Sequence, residues 1–89
     1  MAAGEYLVPW VRDALRALGG SGTIVDVCKV IWREHERDLR ASGDSFYTWQ
    51  YDVRWAAYSL REAGEARRVE DAPRGVWELV SGSATSRSI

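Results

Sequence analysis

Apolar side chains recur at three- and four-residue intervals over residues 7–18 (Leu7, Trp10, Val11, Ala14, Leu15, Leu18), the mark of a helix that buries one stripe. Pro9 suits a first helical position, where a missing N–H costs nothing. Gly19 and Gly20 end the segment. A second helix opens at Thr23 with Asp26 three residues on, the spacing of a capping box that has Asp in place of Glu or Gln. Ile24, Val27, Cys28 and Ile31 supply its inner face. Residues 33–40 alternate in charge sign and read as a solvated helical end, and Ala41-Ser42-Gly43-Asp44 breaks the chain.

A third helix is predicted over 45–63, capped by Asp44 or Ser45 and closed by Gly64. At about 100° per residue, Trp49, Val53, Ala56, Leu60 and Ala63 share one side. Tyr51, Arg54, Tyr58 and Arg61 fall opposite, with Gln50 and Trp55 on the flanks. Beyond Gly64 the period changes. Residues 66–70 have the length and β-branched content of a short strand, 71–75 are turn chemistry, and 76–80 form a second strand with Trp77 and Leu79 on one face. Three helices followed by a two-stranded β-hairpin wing is the order of an α+β winged helix-turn-helix, expected as one domain over 5–81. The polar segment 82–89 is expected to fray as a flexible tail. Trp10, Trp49 and Trp77 are expected to meet in one aromatic centre; the roles of Trp32 and Trp55 stay open.

Composition narrows the function classes. With 89 residues, 46% hydrophobic and 28% charged, the chain suits one small core without a deep substrate cavity. Net charge is −1, whereas dedicated DNA-binding domains tend to be basic. Eleven of the twelve basic residues are arginine and Lys29 is the only lysine. This suits bidentate recognition of phosphate or guanine, and a GC-rich codon bias would produce it equally. The single cysteine, Cys28, fits a reducing cytoplasm. No signal peptide and no membrane-spanning run is read, so a soluble cytoplasmic protein without a membrane partner is expected.

Candidate chemistry is sparse. Cys28 and His35 lie seven residues apart on one helix, about 10 Å along its axis and beyond hydrogen-bond reach, so Cys28 reads as a small core residue. His35 with Glu34, Glu36 and Asp38 has no second ligand at zinc spacing. Gly19-Gly20-Ser21-Gly22 lacks the lysine and preceding strand of a phosphate loop. No catalytic residue, metal, cofactor or small-molecule substrate is expected.

Binding is expected instead. If the third helix enters a major groove, Tyr47, Thr48, Gln50, Tyr51 and Arg54 reach base edges, Gln to adenine and Arg to guanine. Tyr58 and Arg61 then meet phosphates. Arg74 at the wing tip, with Arg68 or Arg67 on its first strand, straddles phosphates or reaches a minor groove, although Glu65, Glu70 and Asp71 offset the local field. Tyr51, Trp55 and Tyr58 suit a protein interface equally well.

The strings Val53-Arg54-Trp55-Ala56, Leu60-Arg61-Glu62-Ala63-Gly64 and Arg74-Gly75-Val76-Trp77-Glu78-Leu79 resemble the N-terminal winged-helix domain of Mrr-type restriction endonucleases. The likeness spans roughly 7–80 and is distinctive from Trp49 onward. It implies a double-stranded-DNA reader, which in that family feeds a separate nuclease domain. Here only 81–89 follow, so no cleavage is expected to carry over. Ser81-Gly82-Ser83 replaces the family's Thr, acidic residues and Gly. Trp49-Gln50-Tyr51-Asp52 stands where a basic residue often precedes the valine, and Asp52 is expected to bring negative charge to the contact surface. The expectation is a DNA-binding module working as a homodimer or in a larger complex, as a small transcription regulator or a restriction or defence accessory protein. The alternative is a protein–protein interaction or dimerisation module of the same fold.

Overall fold

The computed structural model describes residues 6–80, so the expected frayed tail at 82–89 and the outermost residues of the 5–81 domain lie outside the described residues. Helix α1 (Leu7–Ala17) buries Leu7, Val11, Ala14 and Leu15. Pro9 is its third residue rather than its first, and its absent N–H still falls among the first four that have no intrahelical partner. Gly19 (φ 92°) and Gly20 (φ 111°) then reverse the chain in a conformation that favours glycine, and the Gly20 N–H donates to the Leu15 carbonyl at 2.7 Å.

That reversal leads into a strand with no counterpart in the sequence reading. β1 (Ser21–Thr23) pairs antiparallel with β2 (Val76–Glu78), setting Ser21 opposite Glu78, Gly22 opposite Trp77 and Thr23 opposite Val76. The hairpin expected from 66–70 and 76–80 is therefore corrected. Its first arm is reduced to a bridge between Ala66 and Leu79, flanked by Arg67 N–H to Glu78 C=O at 2.8 Å and Val80 N–H to Glu65 C=O at 2.9 Å. Val69–Asp71 is a 3-10 turn instead. The physical reason is the lack of alternation: Ala66 is buried, Val69 is exposed, and the remaining side chains from 67 to 71 are charged. Such a segment has no second apolar face to lay on the core. β2 thus lies between β1 and the stretch after Gly64.

Helix α2 (Ile24–Arg40) carries both halves of the capping box: the Asp26 N–H donates to Thr23 Oγ1 at 3.1 Å and the Thr23 N–H to Asp26 Oδ2 at 3.5 Å. It kinks at His35 (φ −129°, ψ 20°), whose ring lies flat on Trp10 of α1 with centroids 3.8 Å apart. Helix α3 (Ser45–Glu62) begins after Asp44, and of the two expected caps the Asp44 side chain supplies none. The Asp44 backbone is already helical (φ −62°, ψ −28°), whereas a capping side chain needs an extended one.

Three helices and a two-stranded antiparallel sheet make an α+β fold around one apolar cluster. Leu7, Val11, Leu15, Val27, Ile31, Leu39, Val53 and Leu60 are almost completely shielded, and Trp49 and Ala56 join the cluster from α3. Ala63, expected on the inner side, is exposed because the helix has ended beneath it. The tryptophans do not meet in one centre. Trp10 pairs with His35 and Tyr6, Trp49 stacks on Trp32 at 6.1 Å, and Trp77 packs separately at the sheet. α2 offers a separate ring to each neighbouring helix, His35 to Trp10 of α1 and Trp32 to Trp49 of α3, which keeps the tryptophans apart. Among the described residues no helix is long and apolar enough to cross a membrane.

Candidate functional site

The inward side of α3 fixes its outward side. Trp49, Val53, Ala56 and Leu60 anchor the helix to the core, so the opposite side of the helix faces away. Tyr47 (83% exposed), Tyr51 (65%), Trp55 (52%) and Tyr58 (48%) all stand on this outer surface. At about 100° per residue they lie within roughly an 80° arc. Gln50, Arg54 and Arg61 run along one edge of that arc, with Gln50 and Arg54 exposed and Arg61 half-buried. Glu62 continues the line one turn beyond Tyr58.

Asp52 corrects the sequence reading. It is 7% exposed and accepts a hydrogen bond from the Thr48 hydroxyl at 3.1 Å, one helical turn earlier. Its charge is therefore withdrawn from the outer surface, and the Thr48 hydroxyl is committed to it rather than presented to a ligand. A buried carboxylate needs such a donor, since an unpaired one costs several kcal/mol or more.

The arginines separate into two groups. Arg67 meets Glu78 at 3.6 Å and Arg68 meets Glu70 at 3.8 Å, so local carboxylates offset their charge. Arg54, Arg61 and Arg74 have no ion pair among the described residues. Arg61 joins α3 to the loop before β2: it lines a depression of about 230 Å³ with Arg67, Arg74 and Trp77. It also lines a second one of about 330 Å³ with Tyr58, Glu62, Arg68 and Glu70. Tyr58, Arg61, Arg68 and Arg74 are thus neighbours across the two depressions. Tyr47, Gln50, Tyr51 and Arg54 gather at the other end of α3.

Those four border an open groove of about 880 Å³ between α2 and α3, which the sequence reading missed. Val25, Cys28, Lys29 and Trp32 form its α2 wall. Of these the sequence places only Cys28 on the inner face of α2 and leaves the role of Trp32 open. Lys29 adds a cation across from Arg54. Burial raises the Cys28 thiol pKa while Arg54 opposes that rise, which leaves the sulfur mostly protonated and weakly nucleophilic at neutral pH. No group of three or more His, Cys, Asp or Glu able to hold a metal ion occurs among the described residues.

The arrangement offers aromatic faces, three arginines without carboxylate partners and one lysine on a continuous outer surface. It can hold a polyanion or a flat ring system. Comparison with protein-family models, with curated proteins and with solved structures found no match.

Proposed function

We propose that this chain is a winged helix-turn-helix module that binds DNA, with α3 directed into a major groove and the loop before β2 resting on the backbone or a minor groove. The observation that carries this reading is the line Arg54–Arg61–Arg74. These guanidinium groups extend from the exposed side of α3 to the loop preceding β2 without a carboxylate partner among the described residues. Asp52 is buried away from this surface, while Glu62 and Glu70 remain exposed beside Arg61 at its far end. The order α1, β1, α2, α3, then β2 supports a winged-helix reading, as does the resemblance of 53–64 and 74–79 to Mrr-type readers. In this role Gln50 and Arg54 supply the bidentate geometries for adenine and guanine, while Arg61 and Arg74 contact phosphates. The chain acts through binding and not through a reaction of its own, and the lone Cys28 suits a reducing cytoplasm.

Titration of labelled duplex DNA at increasing salt tests the reading. Affinity should fall linearly on logarithmic axes, and Arg54→Ala should weaken binding at every salt concentration. Arg74→Ala should reduce the slope by about 0.9, the value for one phosphate contact. Absence of duplex binding at low salt would reject the major-groove placement, and absence of binding to any form of DNA would reject the reading as a whole.

A second reading, a dimerisation or protein-contact module, draws on Tyr47, Tyr51, Trp55 and Tyr58, large side chains left uncovered on one helix. Sedimentation across a range of protein concentrations separates the two, because a self-associating α3 face would shift mass without DNA.

A further inference from the structure

We propose that the aromatic line on α3 stacks unpaired bases, so that this domain holds a single DNA strand, or an opened stretch of duplex, more tightly than intact duplex. The proposal rests on the DNA reading above and names the form of DNA that the same surface prefers.

The side chains themselves argue for it. A paired duplex shows a protein its base edges and the thymine methyl group, and hides the base faces inside the stack. Tyr47, Tyr51, Trp55 and Tyr58 each offer a broad ring and at most one polar atom at the tip, a poor match to edges. Ring faces match base faces, and stacking tolerates any base because each has one. From Tyr47 to Tyr58 the helix rises roughly 16 Å, so the rings form an extended row and not a single contact point. Trp55 and Tyr58 meet edge to face at 6.0 Å, which leaves outer ring surface uncovered on both.

Charge then selects the occupant. Arg54 flanks the line beside the groove, with Lys29 across from it, and Arg61 lies next to Tyr58 at the far end. This is a basic track beside a row of rings, as strand-binding surfaces require. Glu62 is the acid that continues the line, at its far end. A second copy fits poorly. Pairing two α3 helices about a twofold axis would set Arg54, near the middle of the line, against its own copy. The neighbouring Asp52 is buried and unable to neutralise the contact. A strand of DNA brings the phosphates that such a surface needs.

Trp55 is the one exposed tryptophan among the described residues, the others being buried or half-buried, and it reports directly on stacking. Three labelled probes are compared at low salt by anisotropy: an oligothymidylate, a fully paired duplex of mixed sequence, and that duplex with a central unpaired bubble. Strand and bubble should bind at least about ten-fold more tightly than duplex, with tryptophan emission quenched on binding. Trp55→Ala should lower strand affinity roughly ten-fold, while Trp55→Phe keeps the affinity and loses the quenching. Equal or tighter binding of the intact duplex, or strand binding with unchanged emission, would overturn stacking and leave DNA binding standing. Failure of all three probes to bind would overturn both. A dimer that shields Trp55 from acrylamide without DNA would overturn the proposal in favour of a second copy.

Discussion

Arg12 of α1 holds Glu65, which lies just beyond α3, through two N–H donors: Nε to Oε1 at 2.7 Å and Nη2 to Oε2 at 3.2 Å. The two residues are 53 apart in sequence. Glu65 also receives the Val80 N–H on its carbonyl at 2.9 Å and donates its own N–H to Leu60 at 2.9 Å. One residue thus ties the first helix, the end of the third and the last sheet segment together. Its side chain remains 40% exposed, so water and salt screen much of the attraction. A double-mutant cycle of Arg12→Ala and Glu65→Ala should give a coupling of about 0.5–1 kcal/mol in urea unfolding. That coupling should shrink as salt is added.

The flat stack of His35 on Trp10 sits where α2 departs from helical geometry. Ring pairs of this kind contribute about 0.5–1.5 kcal/mol beyond the area they cover. His35→Ala should lower stability by about 1 kcal/mol and weaken the near-ultraviolet circular dichroism of Trp10. Replacement by Phe should retain most of both. Equal stability of the alanine variant would show that the kink, not the stack, determines the ring position.

Arg61 and Arg67 line the same depression, but Glu78 lies 3.6 Å from Arg67. The DNA reading therefore expects unequal effects. Arg61→Ala should lower the salt slope by about 0.9, and Arg67→Ala by distinctly less. Equal losses would mean that Arg67 leaves Glu78 when DNA binds.

Burial raises the Cys28 thiol pKa, and the positive charge of Arg54 partly offsets the rise. Thiolate is the reacting form, so alkylation by iodoacetamide at neutral pH should be slower than for an unfolded cysteine. The midpoint of its pH profile should lie above the ordinary thiol range. Arg54→Ala should move the midpoint further up. Between the unfolded and folded thiol pKa values the folded state binds more protons, so this group favours the fold at lower pH. Its contribution is lost as pH rises through that window. A profile that Arg54→Ala leaves unmoved would contradict the proximity of the two groups.

Gly64 ends α3 at φ 79°, and an added Cβ there would meet nothing within 4 Å. Any cost of substitution is therefore backbone strain alone. Gly64→Ala should destabilise by about 1 kcal/mol and Gly64→Asn by less, since asparagine tolerates the left-handed region better.

Much of the α3 site was legible from residue order. Trp49, Val53, Ala56 and Leu60 follow the helical period, and placing them inward forces Tyr51, Arg54 and Tyr58 outward. Asp52 was misplaced because the wheel sets it at a boundary where either side is open. A threonine one turn earlier supplied the hydrogen bond that made burial tolerable. The groove walled by Lys29 escaped for a different reason: two helix faces, each ordinary alone, become a groove only when packed together.

Helix positions, their breaks at Gly19, Gly20 and Gly64, and the capping box at Thr23 were determined by sequence alone, because each depends on residues within about one turn of one another. The sheet was decided by tertiary structure. Ser21-Gly22-Thr23 has no alternating apolar pattern, and it becomes a strand only because Val76–Glu78 offers a free edge more than fifty residues away. The stretch after Gly64 meets the opposite edge of β2 only through the Ala66–Leu79 bridge, and its charged continuation, with no inner face, turns away into the 3-10 helix Val69–Asp71. Local periodicity specifies which side of a helix faces in, whereas pairing between distant backbones depends on which edges the packed helices leave open.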